Sequence, residues 1–356
     1  MRKKIRIKDI AEMAGVSAGT VDRVLHNRGN VSEPARLAVE KVLEKVNYKP
    51  NIHVSALSLK RRYKIVVATP EASHGEYWES IHNGIRHAIE EYENIKMESL
   101  ILTYNQYDIY SCKKVFKEIS EMDMDALIVG PTFNEETATL CKKMDAKEIP
   151  YVFVDSTIDN TSPIAFFTSD HYMIGCLMAK LITSIIPNNT NIGILQAVRT
   201  GDKSANSTIQ RKKGFTDFLA KNNCFHNILN IPFSVSEPEK NEIYLARFFS
   251  KHDNVPGIVV MNSRGSIVSD YLLRNNINRV KMICMDLTSP NIEALKKGQI
   301  DFLIGQEPEY QGFCAMKTLL EYLTFKKPVN KENYVQLDIL TKETIDYYKK
   351  FNNIVY

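Results

Sequence analysis

The chain shows two patterns of apolar and polar residues, which divide it near residue 63. From Lys64 onward, short β-branched runs alternate with amphipathic stretches of helical period. The runs are Ile65–Ala68, Ala126–Val129, Tyr151–Val154, Ile192–Leu195, Gly257–Val260 and Met282–Met285. Continuous apolar strands between helical stretches of about 10 to 15 residues indicate parallel sheets covered by helices on both faces. Residues 63–356 are therefore predicted to form an α/β body.

Residues 1–50 show instead the pattern of three short helices. Apolar residues recur at helical spacing between Ile7 and Ala14, and Gly15 follows them as a C-terminal cap. Ser17 stands at an N-cap position before a second helix, and Ser32 stands at the same position before a third. The second helix has the apolar stripe Val21, Val24 and Leu25. Two short helices joined by a turn form a helix-turn-helix, so we predict an all-α, three-helix head.

Charge separates the head from the body. Residues 1–64 hold 15 Lys and Arg against 6 Asp and Glu, whereas the remaining residues hold 31 against 36. A basic head on an acidic body suggests a polyanionic partner, because clustered Lys and Arg release phosphate counterions when they bind DNA. A solvated basic tail would also explain this charge.

Composition excludes several other classes of protein. The hydrophobic fraction of 44% and the charged fraction of 25% are those of a globular protein. The six cysteines form no CxxC pair, so neither a metal site nor a disulfide framework is indicated. The basic start lacks a following apolar run, and no stretch of about 18 apolar residues occurs, so we expect no secretory signal, no membrane partner and a cytoplasmic location.

Four segments of the head carry a family resemblance. They are Ile7–Ser17 (IKDIAEMAGVS), Thr20–Leu25 (TVDRVL), Val31–Ser32 and Asn47–Asn51 (NYKPN). In sequence and spacing they resemble the head of the LacI/GalR repressor family. The resemblance implies that the second helix enters the major groove of each half-site, and that a homodimer or a tetramer binds near-palindromic operator DNA.

The resemblance also implies which head residues contact DNA. It places Ala18 and Gly19 at the usual base-reading positions and Arg23 at an arginine position of the same helix. Ala18 can contact a thymine methyl group, but neither Ala18 nor Gly19 offers a hydrogen-bond donor, so base reading shifts to the neighbouring side chains or to DNA shape. The predicted contacts are Ser17, Ala18, Gly19, Thr20, Arg23, His26, Asn27 and Leu57. For Asp22 and His26, a solvated position on the helix surface is an alternative.

Residues 51–62 are predicted to link the head to the body. In the resembled family, the equivalent segment folds into a hinge helix on operator DNA, and a leucine that Leu57 matches enters the minor groove. A plain linker with one exposed leucine is the alternative.

Polar and aromatic residues stand close to the ends of the predicted strands. Ligands of parallel sheets bind outside the carboxyl ends of the strands. The residues are Tyr77 and Trp78 in the loop after the first strand, Asp155, Asn262, Asp286 and Gln306 after later strands, and Arg211 at the start of a helix. Aromatic faces for C–H groups, with carboxylate, amide and guanidinium groups for hydroxyls, suit a monosaccharide. We predict that these seven residues bind a small sugar effector.

The body resembles the type I periplasmic sugar-binding fold, most closely its ribose-binding type. The segments that carry the resemblance are Tyr77–Trp78, Phe153–Asp155, Ser169–Asp170 with Gly175, Arg211 with Gly214–Phe215, Asn262, Asp286, and Gln306 with Gly312. It implies that Tyr77 and Trp78 sandwich the sugar ring, while the five polar residues bind its hydroxyls. Ser156 stands where the ribose binders have a second arginine, which argues against ribose. Phe233 could stack on the sugar or belong to the core, and Arg199, Lys203 and Lys212 leave a phosphorylated sugar open.

The resembled fold implies two doubly wound parallel-sheet subdomains joined by three crossovers. The predicted domains are the helix-turn-helix at 1–50, the linker at 51–62 and the effector domain at 63–356. Within the effector domain, we expect subdomain N at 63–168 and 307–328, and subdomain C at 169–306 and 329–356. Closure of the subdomains on the ligand would change how two bodies pair in a dimer and hence the operator affinity.

We therefore predict a transcription regulator, acting as a repressor of carbohydrate-use genes, with no enzymatic activity, cofactor or metal. A secreted sugar-binding transport protein would share the body but would lack the basic head. No dinucleotide-binding, phosphate-loop, nucleophile-elbow or zinc-protease motif occurs. An enzymatic alternative uses Asp155 and Asp286 as an acid and base pair for glycoside hydrolysis.

Overall fold

A computed structural model describes residues 7–25, 29, 31–46, 61–201 and 205–351. The chain divides into two compact units. One comprises residues 1–62, 92–96 and 320–328, and the other comprises residues 63–91, 97–319 and 329–356. Within the described ranges, no helix has both the length and the apolar composition needed to cross a membrane.

The head contains the three predicted helices. They are α1 (Ile7–Ala14), α2 (Ala18–Leu25) and α3 (Glu33–Val46). Their shared core is built on Ile10, Ala11, Val21 and Val39, which are 0–6% exposed. Each of the three helices contributes to this core, so the apolar stripes read from the sequence are the packed faces.

The turn between α1 and α2 is defined by its two caps. Gly15 has a φ of 66°, and the amide of Val16 donates to the carbonyl of Ala11 at 3.0 Å. This is the hydrogen-bond pattern of a Schellman motif, in which glycine tolerates the left-handed conformation. Ser17 then caps α2, because its Oγ accepts a hydrogen bond from the amide of Thr20 at 3.1 Å.

Subdomain N alternates strands and helices along the chain. Its elements are β1 (Tyr63–Pro70), α4 (Tyr77–Glu91), β2 (Met97–Tyr104), α5 (Ile109–Glu121), β3 (Ala126–Val129), α6 (Asn134–Ala146), β4 (Tyr151–Asp155) and β5 (Ala165–Thr168).

Subdomain C repeats this alternation, and further elements follow it. They are α7 (His171–Ile185), β6 (Asn191–Ala197), α8 (Asn206–Lys221), β7 (Asn227–Phe233), α9 (Glu239–Lys251), β8 (Gly257–Val260), α10 (Gly265–Arg274), β9 (Lys281–Met285), α11 (Ser289–Lys296), β10 (Phe302–Gly305), α12 (Pro308–Phe325), β11 (Glu332–Tyr334), β12 (Asp338–Leu340) and α13 (Ile345–Phe351).

Two six-stranded sheets form the centres of the subdomains, with strand orders β11-β5-β4-β3-β1-β2 and β12-β10-β9-β8-β6-β7. The β10–β12 pair is antiparallel and the other pairs are parallel. The equivalent strand orders make β4 and β9 counterparts. All six apolar runs identified in the sequence are strands, and strands β3, β4 and β8 are buried along their whole length.

The structure corrects one predicted boundary between the subdomains, near the C-terminal end of the body. We expected residues 329–356 to lie in subdomain C, but β11 pairs with β5 in the first sheet, with Asn333 opposite Phe167. The third crossover therefore lies between β11 and β12. Three residues are too short a strand for a recognisable alternation of apolar and polar positions, so only the pairing reveals where β11 belongs.

Candidate functional site

All seven body residues predicted to bind the effector line one cavity between the subdomains. Its volume is about 70 Å³, several times the roughly 10–15 Å³ that a cavity needs in order to hold one water molecule. A larger cavity of about 400 Å³ shares Tyr77 and Asp286 with it, but lacks the other five residues. The smaller cavity therefore holds the combination of aromatic, carboxylate, amide and guanidinium groups.

Tyr77 and Trp78 occupy the first turn of α4, rather than the loop expected from the sequence. Their rings meet edge to face, with centroids 5.4 Å apart and an interplanar angle of 88°. Perpendicular rings in mutual contact cannot cover the two faces of one sugar ring, so the expected sandwich is wrong. Gly130 makes room for Trp78, since a Cβ there would lie 2.5 Å from the indole ring.

Asp155 and Asp286 each place a carboxyl group at the cavity, one from each subdomain. Asp155 is the last residue of β4, Asp286 directly follows β9, and their exposed fractions are 7% and 5%. The Tyr77 hydroxyl donates to the Asp155 carboxylate, and Gln306 Nε2 donates to Asp286 Oδ1 at 2.7 Å. Each buried carboxylate thus has a donor among the described residues, and its oxygens have further acceptor capacity for hydroxyl groups.

Arg211 lies in the second turn of α8 and is 4% exposed. Its position depends on two glycines at the crossing of α7 and α8. A Cβ on Gly175 would lie 1.9 Å from the Arg211 carbonyl oxygen, and a Cβ on Gly214 would lie 1.9 Å from that of Tyr172. Glycine at both positions allows the helix backbones to approach closely enough to place Arg211 at the cavity.

The Arg211 guanidinium is anchored on protein acceptors. Nη1 donates to the Met261 carbonyl at 2.7 Å, while Nη2 lies 3.1 Å from His171 Nδ1 and 3.4 Å from Gln306 Oε1. Its Nε is buried and has no hydrogen-bond partner among the described residues. A buried guanidinium donor without an acceptor is costly, which favours a ligand that supplies one.

Asn262 is half-buried and lies in the turn after β8. Its Oδ1 accepts from the amide of Arg264 at 3.0 Å and so fixes this turn. The side-chain amide nitrogen of Asn262, Nδ2, is the group that can donate to a ligand in the cavity.

Burial shifts the pKa values of the titratable groups that line the cavity or lie behind it. It raises the pKa of Asp155, against the opposing effects of Arg211 and the Tyr77 hydroxyl. Burial also raises the pKa of Asp286 to about 6, although Arg211 and Gln306 favour the charged form. Burial and the positive charge of Arg211 hold the pKa of His171 well below its usual range.

Two buried residues that contact the site were missed in the sequence. His171 Nε2 lies 2.7 Å from the Asp155 carbonyl oxygen, and Gln311 Oε1 accepts from the Asp155 amide at 2.9 Å. Each stands beside a segment that carried the family resemblance, Ser169–Asp170 for His171 and Gly312 for Gln311. Proximity to a crossover was the available signal, but it did not show the contact with Asp155.

The subdomains also contact each other directly. Arg264 of subdomain C forms a 2.6 Å ion pair with Glu76 of subdomain N. The amide of Thr200 donates to the Tyr107 carbonyl at 2.9 Å, and Asn206 Nδ2 donates to the Thr157 carbonyl at 2.8 Å. These contacts join subdomain N to subdomain C, so the structure represents a closed cleft.

Four further residues were candidates for ligand contact, and the structure shows the surroundings of three of them. Arg199 lines the cavity and places its guanidinium 5.2 Å from the Tyr107 ring centroid. Lys212 Nζ donates to Asn230 Oδ1 at 3.2 Å, and Lys203 lies outside the described residues. Phe233 is 1% exposed in the core of subdomain C, which settles its two alternatives in favour of packing.

The exposed face of helix α2 and its N-cap carries mostly small side chains. Ser17, Ala18, Gly19 and Arg23 are exposed, and Thr20 is half-buried. Arg23 folds back along the helix, with its Nε donating to the Gly19 carbonyl at 3.1 Å. The Ser17 and Thr20 hydroxyls lie 2.9 Å apart. Among the predicted DNA contacts, His26, Asn27 and Leu57 lie outside the described residues.

In the part of the chain that the structure describes, no group of three or more His, Cys, Asp or Glu side chains could hold a metal ion.

Two family models match the chain. Residues 6–51 match the bacterial regulatory proteins of the lacI family, and residues 65–327 match the periplasmic binding protein domain. Together these matches include both α2 and the cleft.

Known proteins are similar to large parts of the chain. The chain is 28% identical to the HTH-type transcriptional regulator DegA of Bacillus subtilis over 60% of each chain. It is 30% identical in sequence to a solved structure from Bacteroides fragilis that is named as a LacI transcriptional regulator, with a TM-score of 0.77 over 81% of this chain and 100% of that one. The fold also matches a carbohydrate transporter solute binding protein of Agrobacterium radiobacter in complex with D-arabinose, with 18% identity and a TM-score of 0.70 over 83% of this chain and 100% of that one.

Proposed function

The chain belongs to the lacI family of bacterial regulatory proteins and carries a periplasmic binding protein domain, and from this premise we propose that it is a DNA-binding repressor controlled by a small sugar. The proposal includes an operator on near-palindromic DNA, carbohydrate-use genes as targets, and a homodimer or tetramer as the binding species. The sugar would bind in the cleft and alter the affinity of the head for its operator.

The chemistry of the cavity is the observation that carries the proposal. Asp155 and Asp286 are buried acceptors. Arg211 offers a buried donor, its Nε, which has no hydrogen-bond partner among the described residues. A ring with adjacent hydroxyl groups can donate to both carboxylates and accept from the guanidinium at the same time. Tyr77 and Trp78 add apolar aromatic surface against which the C–H groups of such a ring can pack.

Closure of the cleft provides the proposed switch. A ligand in contact with Asp155 of one subdomain and Asp286 of the other stabilises the closed arrangement, in which Glu76 and Arg264 are paired. A ligand shifts a conformational equilibrium only by its difference in affinity for the two states. A tenfold change in operator affinity therefore requires about 1.4 kcal/mol of differential binding.

For the head, the proposal rests on the exposed face of α2. Arg23 is its one exposed cation among the described residues, and the face otherwise consists of small side chains. A small-residue surface allows the helix to approach the floor of the major groove closely, where Arg23 can bind guanine. Two heads on a symmetric dimer would read the two half-sites of one operator.

The experiment uses Trp78, the single tryptophan of the chain, as a reporter in the cavity. The full-length protein is titrated with D-ribose, D-arabinose, D-xylose, D-glucose, D-galactose and their phosphates while its fluorescence is followed. We expect at least one sugar to change the fluorescence saturably and to change the affinity for an operator selected from random DNA.

Arg211→Met serves as the matched control, because it removes the guanidinium while keeping an unbranched side chain of similar length. This variant should bind the operator as the wild type does but should not respond to the sugar. Saturable binding of every sugar by the variant with wild-type affinity would contradict the proposed site. Release of a cleaved product from glycosides would instead support the acid and base alternative for Asp155 and Asp286.

A further inference from the structure

Asp155 is held on both sides of its peptide backbone by side chains from other segments. Its amide donates to Gln311 Oε1 at 2.9 Å, and its carbonyl oxygen lies 2.7 Å from His171 Nε2. Thr168 Oγ1 also donates to this carbonyl. The contacts fix a residue with a φ of 68°, a conformation that costs a non-glycine residue free energy and needs support from its surroundings.

His171 has the hydrogen-bonding pattern of a neutral imidazole. A carbonyl oxygen only accepts, so Nε2 facing Asp155 carries the ring proton. The other nitrogen, Nδ1, then has a lone pair that accepts from Arg211 Nη2 at 3.1 Å. One side chain that is 7% exposed therefore joins the backbone of Asp155 in subdomain N to the guanidinium of Arg211 in subdomain C.

Gln311 makes the corresponding connection at the second crossover. It is 0% exposed, and its Nε2 donates to the Gln306 carbonyl at 2.7 Å and lies 3.5 Å from the Tyr77 hydroxyl. An amide supplies one acceptor and two donors, and this environment engages both kinds of group. Three predicted effector residues, Tyr77, Asp155 and Gln306, are thus in contact with one buried side chain.

Both residues stand where the chain passes between the subdomains. His171 begins α7 three residues after β5, and Gln311 lies in the first turns of α12, after β10. Changes of backbone angle during domain closure are concentrated in such segments. Side chains rooted there can keep effector-binding groups aligned while the cleft opens and closes.

We propose that His171 and Gln311 are positioning residues of the effector site, which fix Asp155 and Arg211 from the first two crossovers. The proposal rests on the sugar-binding function proposed above. Neither residue lines the cavity, so both act through residues that do.

The test compares His171→Phe and Gln311→Met with the wild type in the Trp78 fluorescence titration, using each sugar of the panel that binds the wild type. Loss of hydrogen bonds to a charged group and to a strained backbone should weaken the affinity by about tenfold or more. His171→Gln, which keeps one donor and one acceptor, should recover most of the lost affinity. A purely structural role would not produce this recovery.

Asn241→Leu is the matched control. Asn241 is 7% exposed and exchanges two 2.8 Å hydrogen bonds with the backbone of Ser234, but it does not line the effector cavity. The Asn241→Leu variant should have a lower thermal stability than the wild type and an unchanged affinity for the sugar. Wild-type affinity in both His171→Phe and Gln311→Met, or no recovery in His171→Gln, would overturn the proposal.

Crystal structures of the two variants give a second readout that needs no ligand. We expect Arg211 to leave the Met261 carbonyl in His171→Phe, and Asp155 to leave its positive φ in Gln311→Met. Unchanged positions of both residues would overturn the positioning role. If no sugar binds the wild type, the proposed function fails while these structures still decide whether His171 and Gln311 hold the site.

Discussion

Asp155 and Asp286 occupy equivalent strand ends in the two subdomains and share one unusual backbone conformation, with φ values of 68° and 69°. Their backbones are supported differently. Asp155 is held by His171 and Gln311, whereas Asn291 Nδ2 donates to the Asp286 carbonyl at 3.1 Å. Because both carboxylates line the same cavity, the repeated strand end gives one acid group to each wall of the cleft.

Asp286 should make stability depend on pH. Its native pKa of about 6 exceeds the ordinary value of 3.8, so the native state binds more protons than the unfolded chain between about pH 4 and pH 6. The free energy of unfolding therefore falls as the pH rises through this window, by on the order of 2 to 3 kcal/mol. Asp286→Asn should remove this loss and raise stability at neutral pH.

Urea unfolding of wild type and Asp286→Asn at several pH values measures the effect. The difference between them should be greatest above about pH 6 and should shrink toward about pH 4. The comparison cancels contributions from Asp155 and His171 that the substitution leaves unchanged. A constant difference across this range would mean that Asp286 is not the titrating group.

Gly175→Ala should displace Arg211. The added Cβ would lie 1.9 Å from the Arg211 carbonyl oxygen, and both atoms belong to packed helices that cannot give way as a flexible side chain would. We expect a loss of about 3 kcal/mol in unfolding free energy and a weaker response to sugar. Met173→Ala, at a 52% exposed position of the same helix, should change neither quantity much. Equal unfolding midpoints for the glycine variant and the wild type would contradict the close helix crossing.

Gly19→Ala should have the opposite effect on stability. A Cβ at this helical position would meet its nearest atoms, in Ser17 and Arg23, at 3.8 Å, which is ordinary contact. Replacing glycine within a helix gains roughly 0.5 to 1 kcal/mol. Hydrogen–deuterium exchange of α2 in the full-length chain should slow by about two- to fivefold. Faster exchange would show that the methyl group disturbs the packing of the head.

Arg23→Ala should abolish or strongly reduce binding to a selected operator while the body stays folded. An arginine contact with a guanine contributes about 1 to 3 kcal/mol, so the affinity should fall by about fivefold to more than a hundredfold. Gel-shift titration gives the affinity, and Lys41→Ala removes the same charge from an exposed position on α3. Equal losses in the two variants would indicate a general effect of charge instead of base reading.

Leu57→Ala tests the predicted hinge, which lies outside the described residues. If Leu57 enters the minor groove at the centre of the operator, its truncation should weaken binding to the operator more than binding to unrelated DNA. Gel shifts on both DNAs at one salt concentration give the ratio of the two affinities. An unchanged ratio would favour a plain linker.

Much of the cleft could be predicted from the sequence, because the carboxyl ends of parallel strands lie at the same edge of a sheet. Asp155, Asn262 and Asp286 follow apolar runs identified in the sequence, and the structure brings them to one cavity with Gln306 and Arg211. The orientation of Tyr77 and Trp78 was not predictable, since adjacency in the sequence does not fix the angle between two rings. The contacts of Arg264 with Glu76 and of Thr200 with Tyr107 join residues too far apart in sequence for any local pattern to show.

By itself, the sequence determined the three-helix head, the six principal strands and the chemical types available for binding. These follow from the spacing of apolar residues, from glycine and serine at helix ends, and from matched family segments. The tertiary structure decided that β11 belongs to the first sheet, that the aromatic pair meets edge to face, and that His171 and Gln311 contact Asp155. Those features depend on contacts between segments that are distant in the sequence. Such contacts produce no periodic pattern of apolar and polar residues along the chain.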